Sequence, residues 1–352
     1  MISTGGEPLP DTQRERTEDE PSISIIVPVY NGGPRFKQCL DHLVKAVPAP
    51  REILVVADGD TDDSWLVAER FGARVIRLAD RGGPARARNA GARESVGDVL
   101  FFVDADVAVH PDAVEQVASA FRNEPELAAV FGSYDDAPAE PNFLSQYKNL
   151  LHHYVHQAGR EETFTFWAGC GAIRKKTFLE MGGFDERYRE PSVEDIDLGY
   201  RLKRAGQRIR LHKTLQGTHL KRWDARSLLR SDFFHRALPW TELILEQGTP
   251  PGDLNLKVSG RLSVVSSYGL LASLLCAAWR PETLWVGAAF LLAILALNAP
   301  LYLFFARKRG ASFALKSIPW HIFYFLYGGA AFAIGAIRTR RRRSRSAGSD
   351  ES

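Results

Sequence analysis

Cysteine is scarce in this sequence: three residues, Cys39, Cys170 and Cys276, are spread over 352 positions. They lie too far apart for a zinc-binding spacing, and their number is odd. The sequence therefore excludes a disulfide-rich scaffold and a cysteine-based metal centre, and it fits a reducing compartment.

Two nucleotide-binding fingerprints are also missing. No Gly-x-Gly-x-x-Gly follows the first predicted strand, and the chain has no Walker loop, which excludes the usual dehydrogenases and P-loop kinases. The formal net charge of +3 is too small to indicate nucleic-acid binding by itself, so we expect no nucleic-acid partner.

The first 21 residues contain no apolar run that could act as a signal peptide. Residues 1–21 are rich in Pro, Gly, Glu, Asp and Thr, and we expect them to form a disordered leader. Without a signal peptide, the following domain is expected in the cytoplasm.

Strand-like and helix-like segments alternate after the leader. Short β-branched or apolar runs lie near residues 22–29, 52–57, 74–78 and 99–103, and segments with helical spacing separate them. This alternation predicts an α/β fold, a mixed and mainly parallel sheet with helices on both faces, over residues 22–225.

The fourth run ends in two acids, Asp104 and Asp106. Continuous Val, Leu and Phe residues predict a strand buried on both faces. Alternation would point both carboxylates the same way at the carboxyl end of that strand, where open α/β sheets bind ligands. Hard oxygen ligands of this kind suit Mg²⁺ or Mn²⁺. An acidic turn that caps a helix is the structural alternative.

Other predicted strands also end in polar groups. Asp58 could accept hydrogen bonds from a base or a ribose, and Arg86 or Arg88 could pair with phosphate. Each residue alone could be an ordinary turn or surface residue. Their recurrence at successive strand ends favours one ligand site at this edge of the sheet.

Four segments together resemble the ordered motifs of the inverting family-2 glycosyltransferases with the GT-A fold. They are Pro28-Val-Tyr30-Asn31, Asp58-Gly-Asp60-Thr-Asp62, Ala87-Arg88-Asn89-x-Gly91 and Asp104-Ala-Asp106. The resemblance implies a nucleotide-diphospho-sugar donor, with a UDP-sugar favoured, and Mn²⁺ or Mg²⁺ held by Asp104 and Asp106. The implied donor-binding residues are Pro28, Tyr30, Asn31, Asp58, Arg86, Arg88, Asn89, Asp104, Asp106, Gly169 and Arg222.

The resemblance also assigns an acceptor half. Trp167, Gly169 and Gly171 lie in a loop of small residues that lets a ligand approach the backbone. Glu194 and Asp195 begin a predicted helix, where simple N-terminal capping is the alternative. Inverting transfer needs one carboxylate to take the acceptor's proton, and we predict Asp195 as that base, with Glu194 orienting the acceptor or serving as second choice.

Three late residues extend the predicted site. His219 is a candidate third metal ligand, Arg222 a contact to the leaving diphosphate, and Trp223 a stacking surface for an acceptor sugar. A basic segment that touches the bilayer is the alternative for this string. His152 and His156 have a spacing that could hold zinc, but no acidic ligand is nearby, so an ordinary packed helix is expected there.

The carboxyl-terminal third of the sequence is rich in apolar residues. Residues 226–252 predict an amphipathic interfacial segment interrupted by Pro239. Residues 253–337 contain three apolar stretches and predict two or three transmembrane helices, and 338–352 predict a basic, disordered tail. Three full spans would put the arginine-rich tail outside, against the positive-inside rule. One segment is therefore re-entrant or interfacial, with a candidate break at Gly328 and Gly329, or the tail breaks the rule.

Together these features predict a bacterial, multi-pass enzyme of the inner or plasma membrane that transfers a sugar to a hydroxyl of a lipid-linked or envelope glycan. A polyprenyl-phosphate glycosyltransferase is one alternative, but an ionised phosphate acceptor needs no base at Asp195. A processive polysaccharide synthase would need more spans and a true Gln-x-x-Arg-Trp. A non-enzymatic membrane scaffold is the remote alternative.

Overall fold

A computed structural model describes residues 20–247 and 258–349. Most of the predicted leader, 1–21, and the Gly/Pro loop within 248–252 lie outside these ranges. In the described residues, eight strands form one sheet. The strands are β1 (Ile23–Val29), β2 (Glu52–Asp58), β3 (Arg74–Leu78), β4 (Val99–Val103), β5 (Val107–Val109), β6 (Leu127–Tyr134), β7 (Cys170–Arg174) and β8 (Arg208–His219).

Helices connect these strands and form the carboxyl-terminal third. They are α1 (Gly33–Val44), α2 (Ser64–Arg70), α3 (Pro84–Glu94), α4 (Ala113–Asn123), α5 (Phe143–Gln157), α6 (Lys175–Glu180), α7 (Glu194–Arg204), α8 (Ala225–Arg230), a π-helix (Ser231–Ala237), α9 (Leu238–Gln247), α10 (Val258–Cys276), α11 (Thr283–Leu297), α12 (Ala299–Arg309) and α13 (Ala311–Ser349).

The sheet has the order β3-β2-β1-β4-β7-β6-β8-β5. The first four strands are parallel, as the strand–helix alternation predicts. Strand β7 runs antiparallel to both β4 and β6, whereas β6 and β8 are parallel. The predicted α/β fold with a mixed sheet is confirmed, and the parallel half carries the carboxyl-terminal loops that were expected to bind the donor.

Helices cover both faces of the sheet, as predicted. Phe101 and Phe102 are neighbours in β4 and fully buried, but they belong to two separate apolar clusters. Alternation along the strand sends successive side chains to opposite faces. Phe101 packs in the cluster that includes α1 and α4, and Phe102 in the cluster that includes α3, α6 and α7. The double burial fixes β4 in the centre of the sheet.

The histidine segment folds as the packed helix α5. His153 and His156 direct Nδ1 to the backbone carbonyls of Tyr134 and Gly132, at 2.7 and 3.0 Å. The spacing of His152 and His156 left a zinc site open. The described residues form no such site, since they contain no group of three or more His, Cys, Asp or Glu residues that could hold a metal ion.

The break in the apolar region is not where it was predicted. Helix α13 runs without interruption through Gly328 and Gly329, because the missing side chain of Gly329 lets Tyr268 of α10 pack close: a Cβ there would lie 2.6 Å from the tyrosine ring. The chain bends instead by 66° between α11 and α12. Pro300 lies at this bend, in the first turn of α12, where its missing N–H is tolerated.

Two described helices are long and apolar enough to cross a membrane, Val258–Cys276 and Ala311–Arg341, or three if the bent pair α11–α12 forms one span. The predicted disordered tail from 338 is wrong for its described part, because α13 continues through the arginines to Ser349. Arginine is a good helix former, so the cluster does not end the helix.

Candidate active site

The two acids lie in a turn rather than on the strand, which corrects the predicted geometry. Strand β4 ends at Val103 and β5 begins at Val107. The backbone N–H of Val107 donates to the carbonyl of Asp104 at 3.0 Å, and Asp104 N–H donates to the carbonyl of Gly169 at 3.1 Å. Both carboxylates remain open to solvent, with side chains about 30% exposed. They can therefore reach a ligand at the carboxyl end of the sheet.

The sequence predicted that Arg88 could pair with phosphate. In the structure its side chain is buried between two carboxylates. Its Nη2 donates to Oδ1 of Asp104 at 2.6 Å and its Nη1 to Oε1 of Glu194 at 2.9 Å. Burial lowers the pKa of Arg88, but Asp104 and Glu194 outweigh it and the net shift is upward. Because both partners would be left unpaired without it, Arg88 holds the donor-side turn and the acceptor-side helix together.

Glu194 has a partner within the protein on each oxygen. Its Oε1 accepts from Arg88, and its Oε2 accepts from the backbone N–H of Ser192 at 2.8 Å. The side chain is 3% exposed. Glu194 therefore acts on the site through its charge, and its contact to an acceptor stays a prediction.

Asp195 lies beside Glu194 in the first turn of α7. One carboxylate oxygen accepts from Ala168 N–H at 3.1 Å, and the other from Ile196 N–H at 2.8 Å. Burial and the neighbouring Glu194 charge raise the pKa of Asp195 to about 7, while Arg88 opposes them. A carboxylate with this pKa can take a proton near neutrality, and the bond to Ala168 puts it against the Trp167–Gly171 loop.

His219 ends β8 and reaches the same turn. Its Nε2 lies 3.9 Å from Oδ2 of Asp106, and its ring stacks on Tyr134 with 4.1 Å between centroids. Burial lowers the pKa of His219 to about 3, with Lys221 adding to it. The imidazole is thus neutral at physiological pH, as a metal ligand must be.

The donor set at this turn fits a divalent cation of the Mn²⁺ or Mg²⁺ type. Asp106 offers a free carboxylate and His219 a neutral nitrogen, while Asp104 shares its carboxylate with Arg88. Such cations bind through one or two protein carboxylates and take further ligands from substrate phosphates. No three donors of this kind are gathered in the part of the chain that the structure describes, so the substrate would complete the coordination.

Asp58 is buried and holds a loop. Its two oxygens accept from the backbone N–H groups of Gly82 and Gly83, at 2.7 to 3.1 Å. Gly83 has a φ of +93°, and a Cβ there would lie 2.2 Å from the carbonyl oxygen of Arg189. Asp58 thus orders the loop before α3, and its contact to a base or ribose stays a prediction.

The loop after β1 is tied to the loop after β2. Asn31 accepts from Thr61 N–H at 2.8 Å, while Pro28 lies inside β1 opposite Val56. Tyr30 is 44% exposed, and the Arg81 guanidinium lies 4.5 Å from its ring centroid. Tyr30 and Asn31 are both exposed and are thus the members of this motif that are open to a ligand.

Arg86, just before the third motif, and Asn89 within it also have partners within the protein. Arg86 donates from Nη1 to the carbonyl of Asp80 at 3.2 Å. Asn89 is buried, donates to the Phe184 carbonyl at 2.8 Å and accepts from Phe184 N–H at 2.9 Å. The Asn89 amide thus orders the turn that precedes α7, and a donor contact by Asn89 stays a prediction.

The small-residue loop forms the floor beside Asp195. Gly169 and Gly171 both pack against the Trp167 residue: a Cβ on Gly169 would lie 2.6 Å from the indole ring, and one on Gly171 2.3 Å from the Trp167 carbonyl. Trp167 is partly exposed and stacks its edge near Tyr134, 4.8 Å between centroids. Trp167 therefore lies next to Tyr134, the ring on which His219 stacks.

The late motif is tied to the chain around the start of α5, and the roles of Arg222 and Trp223 stay predictions. Trp223 is 5% exposed, and its backbone N–H donates to Ser145 Oγ at 2.7 Å. Arg222 is exposed and pairs with Glu140 at 3.2 Å. Both residues anchor β8 to the segment before and within α5.

Two site residues were missed by sequence reasoning. Tyr134 stacks on His219, and Arg236 in the π-helix acts electrostatically on Tyr134, Asp195 and Glu194. Nothing in the sequence marks Tyr134, which simply ends a strand. Arg236 lies within 226–252, which the sequence predicted as an interfacial segment. The π-helix that contains it is seen only in the structure, and such helices are frequent at functional sites.

Comparison with known proteins gives the family. The family model "Glycosyl transferase family 2" matches residues 24–182. The chain is 32% identical over 117 residues to glycosyltransferase GlyG of Streptococcus pneumoniae, covering 32% of this chain and 38% of that one. It is 29% identical over 194 residues to an uncharacterized glycosyltransferase of Haemophilus influenzae, covering 51% and 61%. The chain thus spans about two fifths to three fifths of the length of these curated relatives.

A solved structure shares the fold. The mannosyltransferase PcManGT from Pyrobaculum calidifontis, in complex with GDP-Man and Mn²⁺, superposes with a TM-score of 0.56 at 20% identity, covering 91% of this chain and 87% of that one. This confirms the predicted GT-A-like fold. The sheet, the motif order and the family match lead to one conclusion: the chain carries a family-2 glycosyltransferase domain.

Proposed function

We propose that the protein transfers a sugar from a nucleotide-diphospho-sugar to an acceptor hydroxyl, with inversion at the anomeric carbon and Asp195 as the base. The observation that carries this proposal is the position of Asp195, whose pKa of about 7 suits proton transfer and which is linked through Glu194 and Arg88 to the acidic turn at Asp104. Base and donor turn are therefore held in one rigid unit.

In this mechanism the protein residues have separate tasks. Glu194 is paired with Arg88, and its negative charge raises the pKa of Asp195 and so makes Asp195 a stronger base. Asp195 takes the acceptor proton as the hydroxyl oxygen bonds to the anomeric carbon and the bond to the diphosphate breaks. Asp106 and His219, with Asp104, would hold Mn²⁺ or Mg²⁺, which neutralises the departing diphosphate. The solved structure of PcManGT holds GDP-Man and Mn²⁺, which supports a divalent cation in this assignment. The motif resemblance favours a UDP-sugar as the donor of the present chain.

The test separates transfer from binding. Asp195→Asn removes the base but keeps the size of the side chain, so transfer to acceptor should fall by about 10²-fold or more, while nucleotide binding with Mn²⁺ should be retained. Glu162→Gln changes an exposed acid that pairs only with Lys203 and serves as the matched control. Unchanged turnover of Asp195→Asn would overturn the proposal. A wild-type protein that fails to bind nucleotide with Mn²⁺ would favour the non-enzymatic scaffold.

We further propose that the acceptor is lipid-linked or part of an envelope glycan, because the catalytic domain is joined to apolar helices. Arg309 of α12 donates to Gln146 and to the carbonyl of Asp136, at 2.7 and 2.6 Å, and Lys308 pairs with Asp136. These contacts support a location of the basic end of α12 on the same side of the membrane as the catalytic domain, the cytoplasmic side.

Both ends of α13 also contact elements on the catalytic side. Near its start, Phe313 packs on Phe143 of α5, 5.1 Å between ring centroids. Farther along, Arg338 lies 3.8 Å from Glu242 of α9, and α9 packs on α7 through the bond from Trp240 to Tyr200 at 2.9 Å. A helix with both ends on one side does not cross the bilayer.

Most of the exposed large apolar residues of α13 support an interfacial position. Leu315, Phe323, Ile334 and Ile337 are exposed and share one side of the helix at 3.6 residues per turn, whereas the exposed Phe332 lies on the other side. We therefore propose that α10 and the bent α11–α12 pair cross the inner or plasma membrane as a hairpin and that α13 lies in the interface. This arrangement keeps both arginine clusters in the cytoplasm, in agreement with the positive-inside rule.

A further inference from the structure

The π-helix is fastened where the catalytic domain meets the membrane helices. Asp232 pairs with Lys148 of α5 at 2.5 Å and accepts from Tyr327 of α13 at 2.8 Å. Three residues later, the His235 carbonyl accepts from Ser192 Oγ at 2.8 Å, just before Glu194 and Asp195. The π-helix is thus held against the loop that carries the base.

Arg236 lies between these attachments and has a free guanidinium. It is solvent-accessible and makes no hydrogen bond or ion pair with any residue that the structure describes. Asp232, the carboxylate with the strongest electrostatic effect on Arg236, is already engaged by Lys148 and Tyr327. The surrounding protein lowers the pKa of Arg236, but Asp232, Tyr134 and Asp195 outweigh this, so Arg236 faces the site with its charge intact.

Lys221 adds a second cation to the same wall. Its Nζ lies 4.2 Å from the Trp223 ring centroid, and within the described ranges it has no carboxylate partner. The Trp223 ring lies 6.4 Å from the His219 ring, centroid to centroid, so Lys221 is close to the same end of β8. Lys148 is paired with Asp232, whereas Arg236 and Lys221 have no ion pair with a carboxylate among the described residues. The wall therefore has an excess of positive charge that an anion would compensate.

The position of this wall indicates which anion it binds. The acidic turn at Asp104 and Asp106 is the expected place for the donor diphosphate, whereas Arg236 is attached to the Asp195 side of the site and to the helix α13 that we place in the membrane interface. A guanidinium binds phosphate oxygens through two parallel hydrogen bonds, which suits a phosphate ester on a membrane-held molecule.

Building on the proposed function, we propose that Arg236, assisted by Lys221, binds the phosphate or diphosphate of a lipid-phosphate-linked acceptor and so places the acceptor hydroxyl at Asp195. The acceptor class is then a sugar attached to a lipid through phosphate. The same cations would also attract free phosphate or the donor's own diphosphate, and the binding experiment is designed to separate these sources.

The test uses the full-length protein in detergent, with farnesyl diphosphate as the probe and farnesol as its uncharged counterpart. Arg236→Gln should weaken farnesyl diphosphate binding about tenfold or more, since hydrogen bonds to charged groups contribute about 1.5–3 kcal/mol. Arg236→Lys keeps the charge but not the fork, and should fall between Gln and wild type. Arg230→Gln changes another exposed arginine one helical segment earlier and should leave binding unchanged.

Nucleotide binding with Mn²⁺ is measured on the same variants and should not change in Arg236→Gln. A loss of nucleotide binding equal to the loss of farnesyl diphosphate binding would reassign Arg236 to the donor and overturn the proposal. Competition by millimolar inorganic phosphate as effective as by the lipid, or equal binding of farnesol, would also overturn it. Failure of wild type to bind nucleotide would instead contradict the proposed function, so the two outcomes are distinguishable.

Discussion

Arg88 donates a hydrogen bond of 2.9 Å to Glu194, a residue 106 positions later in the chain. This buried bond joins α3 to the first turn of α7, in which the proposed base Asp195 lies. Because Arg88 also binds Asp104, the donor side and the acceptor side of the site cannot move independently.

Removing Arg88 should therefore cost stability as well as activity. Arg88→Ala leaves Glu194 buried and unpaired, and we expect a loss of about 3 kcal/mol in the free energy of unfolding. Arg122→Ala is the matched control, since its ion pairs with Glu20 and Glu115 are exposed and contribute little to stability. Thermal or denaturant unfolding of the two variants decides; equal losses would contradict the role given to Arg88.

The rate of transfer should rise with pH through neutrality. Asp195 must be ionised to accept a proton, and its pKa of about 7 means that kcat/KM falls about tenfold per pH unit below that value and levels above it. Glu194→Gln removes the negative neighbour that raises this pKa, so the acidic limb should move to lower pH. A limb that stays in place in Glu194→Gln would show that another group titrates.

Asp58 should act on donor binding through the loop that it holds. In Asp58→Asn an amide N–H₂ faces the Gly82 and Gly83 N–H donors, so one acceptor is lost, at about 1–3 kcal/mol. We expect lower stability and weaker nucleotide binding with Mn²⁺, both measured by thermal-shift titration. Asp63→Asn, an exposed residue at φ +58° where asparagine is tolerated, should change neither. Intact nucleotide binding in a destabilised Asp58→Asn would separate the loop from the donor site.

His219 is predicted to contribute to cation affinity. His219→Ala should weaken Mn²⁺ binding in the presence of nucleotide about tenfold, because the imidazole opposite Asp106 is lost. The control is His212→Ala, a β8 residue whose ring contacts Thr214. Isothermal titration with Mn²⁺ gives the affinities, and an unchanged Mn²⁺ affinity in His219→Ala would remove His219 from the metal site.

Membrane topology can be tested with cysteine labels. Cys39 and Cys170 are buried, so in a Cys276→Ser background a new cysteine is the reactive one. Arg280→Cys, at the turn between α10 and α11, should react with a membrane-impermeant maleimide on intact cells. Arg341→Cys, near the end of α13, should react only after permeabilisation. Labelling of Arg341→Cys from outside would show that α13 crosses the membrane and that the interfacial position is wrong.

Much of the catalytic fold could be predicted from local patterns. β4 is a continuous apolar run, and its burial on both faces follows from the residues alone. The order of the motifs pointed to the family, and the first turn of α7 carries acids as the helix dipole favours. The predicted proximity of His219 to Asp106 also agrees with the 3.9 Å between them.

The role of individual polar residues was harder to predict. Asp58, Arg88 and Asn89 have the residue types of ligand-binding groups, yet each is satisfied by protein atoms far away in sequence. The same hydrogen-bonding capacity serves a phosphate or a backbone amide equally well. Only the packed positions of both partners decide which one is met.

The sequence by itself determined the class of fold, the family and the edge of the sheet at which the chemistry is expected, because these depend on periodicity and on motifs of a few adjacent residues. Tertiary structure alone decided that Asp104 and Asp106 lie in a turn and that Arg88 pairs with two acids. It also decided that α13 returns along the catalytic domain and that Arg236 has no hydrogen-bond or ion-pair partner among the described residues. These are outcomes of long-range pairing, in which each charge takes the nearest compatible group that the packed fold offers.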